Sequence, residues 1–383
     1  MHIGIIGAGH AGIEAALVAQ QAGAEVTVFS AEPVLPYFRP RLVAVAMGQV
    51  TPDAIAMHPA IWYEERGICL RLTTPATALD VAARTIMANG APEKFDAIVL
   101  ACGSLPRRLC IHGETRTMPV FTLWSMADAL TIQPHIRPGA RLVVIGGSSL
   151  GIECALRAAE QKLQVVVVEQ MPRLMSLQLG EGASGCLRDQ LESRGIAIRT
   201  GRMVASFAAA ADHATGIRLD DGAEIAAELV LVCIGAAPNL ALARHAGLAT
   251  ARGIQTDACL QAAPGVFVAG DACQATGQPA RGAVREANAQ GRLAGANAVA
   301  SVSGGALQTF IGTVIPITVR CSGVEINAAG SPGGDNVREE RLDHGAQGNV
   351  YRTITRRADD SIAGVQMLGT REGFDDLVMK IRQ

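Results

Sequence analysis

The chain has no C-x-x-C pair, although it carries nine cysteines, at 69, 102, 110, 154, 186, 233, 259, 273 and 321. That absence excludes a dithiol relay of that kind, and the lack of nearby histidines at ligand spacing excludes the common zinc patterns, so no metal is expected. What is left is the expectation of reduced, buried thiols in a cytoplasmic protein. An excess of charge of one sign is equally lacking. With 33 Lys and Arg against 35 Asp and Glu, the formal net charge is −2, and no broad basic field exists to hold nucleic acid or an anionic membrane. No apolar run reaches the roughly 18 residues of a membrane span, and no short apolar run behind a charged N-terminus reads as a leader. Aromatics make up only 3% of the chain, yet two fall in one proline-bracketed stretch, "PYFRPRL" at 36–42.

The sequence does have repetition. Its 383 residues, 49% of them hydrophobic, are enough for two or three domains. "HIGIIGAGHAGIEAALVAQQAGAEVTVFS" from His2 and "RLVVIGGSSLGIECALRAAEQKLQVVVVE" from Arg141 share one order of strand, glycine turn, helix and strand. Each is a βαβ unit, and the unbroken apolar strands suit a parallel sheet covered on both faces. "KFDAIVLACG", "AAELVLVCIGAAPN" and "GVFVAGDACQ" add buried strands, and an alanine-rich helix is expected from about Gly282 to Ala300. "SVSGGA" from Ser301 reads as a linker to a small α+β domain that ends in the helix "EGFDDLVMKIR".

The first turn is Gly7-x-Gly9-x-x-Gly12, whose glycines permit a tight turn, close approach of a pyrophosphate, and close packing of helix on strand. Ser30 stands where an acidic ribose ligand is expected, which makes Glu32 the substitute candidate, with a solvated loop carboxylate as the alternative. The second turn, Gly146-Gly147-Ser148-Ser149-Leu150-Gly151, has Ser148 in place of the middle glycine. Its hydroxyl either donates to a phosphate oxygen or lowers nucleotide affinity. Glu169 ends the following strand, where a carboxylate binds both ribose hydroxyls and repels a 2′-phosphate, favouring NADH over NADPH. Arg173 stands near enough to blur that preference unless it is simply solvated. Asp271, at the exit of "GVFVAGD", suits a polyol hydroxyl or an N-cap.

These motifs, with "VLACGSLP" (Val99 to Pro106) and "CIGAAPN" (Cys233 to Asn239), fall in the order found in the FAD-dependent pyridine nucleotide-disulfide oxidoreductases, which the chain resembles over nearly its whole length. The resemblance implies an α/β protein with two Rossmann-like nucleotide-binding domains and a small α+β C-terminal domain. The FAD domain, 1–108 and 238–304, is interrupted by an NAD domain, 109–237, and followed by an interface domain, 305–383. It also implies a nicotinamide stacked on the flavin, FAD contacts from Cys102, Gly103, Gly270, Asp271 and Gln290, and an NAD contact from Gly235. Ala287 and Gly291 would join Gln290 at the flavin pyrimidine edge. Glu153 is similar to the family's glutamate at the nicotinamide carboxamide, with an arginine of "PYFRPRL" as its expected partner and a helix-surface carboxylate as the alternative.

The disulfide-reducing branches keep cysteine in the segment equivalent to "AEPVLPYFRPRLVAVAMGQV", which here has none. "PYFRPRL" is instead similar to the stretch in NADH:rubredoxin and flavorubredoxin reductases. It is more distantly similar to the E-R-P-x-L-S-K stretch of oxygenase-coupled ferredoxin reductases, whose lysine is absent because Val43 and Ala44 follow Leu42. Pro36 and Pro40 stiffen the loop so that Arg39 aims a planar fork at the FAD pyrophosphate or flavin edge, unless it forms a surface ion pair. Glu153 and Arg39 are the candidates nearest the chemistry. The expected function is transfer of electrons from NADH through FAD to a small acidic one-electron carrier, rubredoxin-like or a ferredoxin, by a monomer or homodimer. Arg281, Arg285 and Arg292 are candidate docking cations. The alternatives are an NADH oxidase, reduction of another acceptor, or a flavin-bearing NADH sensor or scaffold.

Overall fold

The computed structural model describes residues 1–109, 118–210, 213–277, 282–312, 314–334, 337–344 and 350–381. The chain divides into two compact units, one of Met1–Arg39, Pro52–Leu105 and Ala236–Thr313, the other of Pro40–Thr51, Pro106–Gly235 and Val314–Gln383. The stretch 36–42 is cut by this division between Arg39 and Pro40. The C-terminal residues from Val314 belong to the second unit.

The first unit is built on a six-stranded sheet ordered Gln261–Ala263, Val266–Val268, Ala97–Leu100, His2–Ile6, Glu25–Phe29, Ile68–Arg71. All neighbours are parallel except the first pair. The central strands read as continuous β-branched runs because both faces are covered: Ile3, Ile5, Val26, Val28, Ile98 and Val99 are fully buried. Each such side chain contributes about 1.5–3 kcal/mol of transfer free energy. The helix His10–Gln21 lies against the long helix Val284–Ser303. Gly291 and Gly295 make the approach possible, since a Cβ on either would strike the backbone of Ala11 or Ala15. The expected linker at Ser301 is therefore a correction. The helix runs on through Ser303 and stops at Gly304, whose φ of +76° is the left-handed C-cap conformation that glycine takes without strain.

The second unit holds a five-stranded parallel sheet ordered Ala197–Thr200, Gln164–Glu169, Arg141–Ile145, Leu229–Val232, Val120–Thr122. The helix Ser149–Glu160 forms the crossover after the second glycine turn. A five-stranded antiparallel sheet of C-terminal residues, ordered Ile317–Cys321, Val324–Gly330, Ile362–Leu368, Tyr351–Arg357, Val337–His344, carries the last helix, Phe374–Met379. Among the described residues no helix is long and apolar enough to cross a membrane.

Candidate functional site

In the first unit, four parallel strands that are neighbours in the sheet end on the same side, and each is followed by candidate residues: Gly7 to Gly12, Cys102 and Gly103, Gly270 and Asp271, and Glu32. In an open parallel sheet, ligands bind in the crevice outside those carboxyl ends. The glycines divide the work. Gly7 has φ +108°, and a Cβ there would run into the Ala101 carbonyl, just as one on Gly12 would run into the Gly7 carbonyl. Gly9 is the N-cap of the helix and has nothing within 4 Å of where its Cβ would be. Its missing side chain leaves space for something other than protein, in front of backbone N–H groups that carry partial positive charge. Beside it, His10 keeps an enclosed Nε2 that lacks a protein partner, as does Asn288 Oδ1 on the long helix. Burial, with the Arg39 guanidinium second, pushes His10 down to about 4, so the ring is neutral. Open space at a helix N-terminus and unspent polar atoms fit a dinucleotide such as FAD.

The side chains expected around that group hold one another. Glu32 accepts from Tyr37 Oη at 2.8 Å and from Arg39 Nη2 at 3.2 Å, and the Arg39 guanidinium lies 5.3 Å from the Tyr37 ring centroid. Two residues expected at FAD thus form an ion pair, which at about one-third exposure is worth less than about 1 kcal/mol. Such a pair is readily exchanged for a ligand. Asp271 accepts from Ser104 Oγ at 2.5 Å and does not cap the long helix, whose N-cap is Ala283. Gln290 is buried, its Oε1 accepting the Gly270 N–H at 2.8 Å, while Ala287 is buried and Gly291 backs onto Ala11. Gly103 has φ +66° with open space around it. Burial pushes the Cys102 thiol up to about 12, which keeps it protonated and unreactive.

In the second unit a cavity of about 560 Å³ opens at the carboxyl ends of Arg141–Ile145, Gln164–Glu169 and Leu229–Val232, lined by Gly146, Gly147, Ser148, Glu169 and Gly235 among others. Gly146, at φ +110°, and Gly151 repeat the packing roles of Gly7 and Gly12, against the carbonyls of Cys233 and Gly146. Glu169 accepts from Gly147 N–H at 2.6 Å and from Met171 N–H at 2.7 Å, so its carboxylate is fixed at the turn with lone pairs to spare. Arg173 donates to the carbonyls of Leu179 and Ser176 and so is bound into its own loop. Ser148 N-caps the helix, and its hydroxyl is turned back to the Cys233 carbonyl at 3.3 Å. Ser148→Gly is therefore expected to lower the melting free energy by about 1 kcal/mol or less, the worth of a neutral hydrogen bond. NADH affinity should change less than about threefold, as measured by thermal melts and NADH titration.

The cavity has an apolar rim that sequence did not reveal. Met171, Leu177 and Met203 line it and are 42%, 77% and 54% exposed. Isolated Met and Leu in a chain read as core, and only three-dimensional placement distinguishes these. Glu153 is on the helix after this turn and finds its arginine on the same helix: Arg157 Nε donates to its Oε1 at 2.9 Å. The carboxyl is pushed up by burial and pulled back by Arg157. Of the expected docking cations, Arg285 and Arg292 are exposed, and Arg292 donates to Glu14 at 3.1 Å. Arg281 lies outside the described residues.

The model of the pyridine nucleotide-disulphide oxidoreductases matches residues 1–289. A rubredoxin-NAD(+) reductase of Ectopseudomonas oleovorans is 33% identical over 67% of this chain and 68% of its own. The ferredoxin reductase component of a chlorobenzene dioxygenase from Cupriavidus sp. (strain PS12) is 36% identical over 71% of this chain and 67% of its own. Among solved structures, the covalent putidaredoxin reductase–putidaredoxin complex has a chain that superposes with a TM-score of 0.88 over 99% of this chain and 92% of that one. At 23% identity it speaks for the fold.

Proposed function

We propose a function from one premise: the chain belongs to the pyridine nucleotide-disulphide oxidoreductase family. It is an FAD-dependent NADH oxidoreductase that passes electrons to a small one-electron carrier protein, rubredoxin-like or a ferredoxin. One observation carries the reading. Two glycine turns of the same construction, the first with open space at Gly9 and the second with a cavity at its strand ends, stand in a chain whose segment 31–50 holds no cysteine. Electrons taken from NADH are thus not handed to a thiol of that segment. When bound, the flavin accepts hydride from NADH and releases the electrons one at a time.

The chain's own residues bind and orient. Gly9 would admit the FAD diphosphate at the tight turn that Gly7 and Gly12 allow, with Cys102, Gly103, Gly270, Asp271 and Gln290 along the rest of the group, and Glu32 with Arg39 at its edge. Gly146, Gly147, Ser148, Gly151, Glu169 and Gly235 would hold the adenine half of NADH, and Glu153 its carboxamide. Hydride transfer needs little beyond this positioning. The expected division, with FAD on 1–108 and 238–304, NAD on 109–237 and an interface on 305–383, follows the same roles. The eight described cysteines are all free, as suits a cytoplasmic protein.

Stepwise anaerobic addition of NADH to the purified protein is expected to bleach the oxidised flavin bands at about one equivalent. A flavin that stays oxidised would remove the reductase reading. Turnover of the reduced protein should then be fast with a rubredoxin or ferredoxin and slow with oxygen, the reverse ratio marking an oxidase. If Arg285 and its neighbours steer an acidic carrier, carrier turnover falls steeply as salt rises, and a flat profile rules that steering out.

A further inference from the structure

The short helix Leu42–Ala46, which follows "PYFRPRL", is apolar and buried at every position and packs on the helix Ser149–Glu160. It brings that helix no charge. Yet Glu153 there is held at 20% side-chain exposure, and an enclosed carboxylate needs a cation. Arg157, one turn along, supplies it from Nε. Its other end, Nη1, donates to Gln49 Oε1 at 2.6 Å, and Gln49 Nε2 donates to Glu160 Oε2 at 3.1 Å. One guanidinium therefore joins Glu153 to the loop that ends the segment Pro40–Thr51, and Glu160 closes the bridge from the other side.

We infer that Arg157 is a positioning residue for hydride transfer: it fixes Glu153 as an oriented carboxylate and latches Gln49, and through it the 40–51 segment, to the helix of the second glycine turn. This rests on the placement of Glu153 beside the nicotinamide proposed above. The charged and titratable groups around Glu153 among the described residues are Arg157, Glu160 and Cys154 from its own helix and Cys321 from the strand Ile317–Cys321; both thiols are pushed up, Cys154 by its hydrogen bond with Cys233 and by burial, Cys321 by burial, and so stay neutral. With Arg157 removed, nothing in that set offsets burial. Glu153 would hold a proton at higher pH, and a protonated carboxyl accepts poorly from a carboxamide N–H. A planar guanidinium held at Nη1 by Gln49 presents Nε to Glu153 in a fixed direction, which restricts the Glu153 rotamer in a way a point charge does not.

The test is the pH dependence of flavin reduction by NADH in the holoenzyme, followed anaerobically by stopped flow. Arg157→Met should shift the acid limb up by about 1–3 pH units, the effect of one close opposite charge, and slow reduction at neutral pH by about tenfold or more. Arg157→Lys should restore most of the limb, because it returns the charge, while leaving the Gln49 latch weaker and the rate intermediate. Glu153→Gln should abolish the limb, and adding Arg157→Met to it should slow reduction little further. An Arg157→Met protein with an unshifted limb and only a lower melting temperature would overturn the proposal and leave Arg157 as fold support. A Glu153→Gln protein with the native profile would overturn it at its premise, while the reductase reading would stand as long as NADH still bleached the flavin.

Discussion

Gly9→Val is expected to fold and to emerge from purification colourless, whereas Gly12→Val is expected to accumulate poorly and melt far below the native protein. Both change one glycine of the same turn to the same residue. At Gly12 the new Cβ would overlap the Gly7 carbonyl, which is backbone and cannot swing aside. Overpacking of that kind costs about 1–3 kcal/mol or more, a large share of a stability of about 5–15 kcal/mol. At Gly9 the new side chain meets nothing of the protein within 4 Å, and the backbone there, at φ −80° and ψ −171°, is open to any residue. The valine fills the space in front of the helix N-terminus instead, where a diphosphate would have to come. Visible absorbance and a thermal melt on both variants check the pair. A yellow Gly9→Val protein would show that the crevice does not hold the flavin.

The second large effect is expected at Glu169. Glu169→Ala should raise the KM for NADH about 10- to 100-fold, since charge-assisted hydrogen bonds to ribose hydroxyls are worth about 1.5–3 kcal/mol. The preference for NADH over NADPH should fall with it, because the repulsion of a 2′-phosphate goes with the carboxylate. Some loss has another origin: the N–H groups of Gly147 and Met171, which Glu169 accepts at 2.6 and 2.7 Å, would lose their partner and the turn would loosen. Glu169→Gln separates the two. Its amide oxygen can keep one of those bonds, so turn integrity is largely retained, while the charge that repels phosphate is gone. Steady-state kinetics with both nucleotides provide the readout, and an unchanged NADH to NADPH ratio in Glu169→Gln would mean that charge does not set the choice.

The parallel cores were legible because strands such as Leu229–Val232 and Ala97–Leu100 are buried at every position, and burial on both faces writes itself as an unbroken apolar run. The glycine turns were legible for the same kind of reason: steric limits at Gly7 and Gly146 leave only one residue type. What side chains do once folded was less so. Arg39 reads as a fork aimed at a cofactor, yet its fold partner is Glu32, seven residues away along a loop whose course sequence does not specify. Arg157 and Glu153 stand at helical i,i+4 spacing, a local signal that the sequence does carry, whereas the arginines of "PYFRPRL" have no fixed spacing to Glu153. Gln49, 108 residues from Arg157, leaves no local signal at all.

The pairing of Gly291 and Gly295 with Ala11 and Ala15 also bears on how the protein is made. The helix that carries the first glycine turn has its packing partner in Val284–Ser303, and the strand Val266–Val268 completes the sheet next to Ala97–Leu100. At a synthesis rate of about 5–20 residues per second, the first βαβ unit waits on the order of 15–60 s for those pieces to leave the ribosome. The second unit's parallel sheet is complete once Leu229–Val232 has emerged, so it can close earlier. The N-terminal segment of this chain is thus among the last to become native, and through that interval its apolar strands His2–Ile6 and Glu25–Phe29 are a natural target for chaperones.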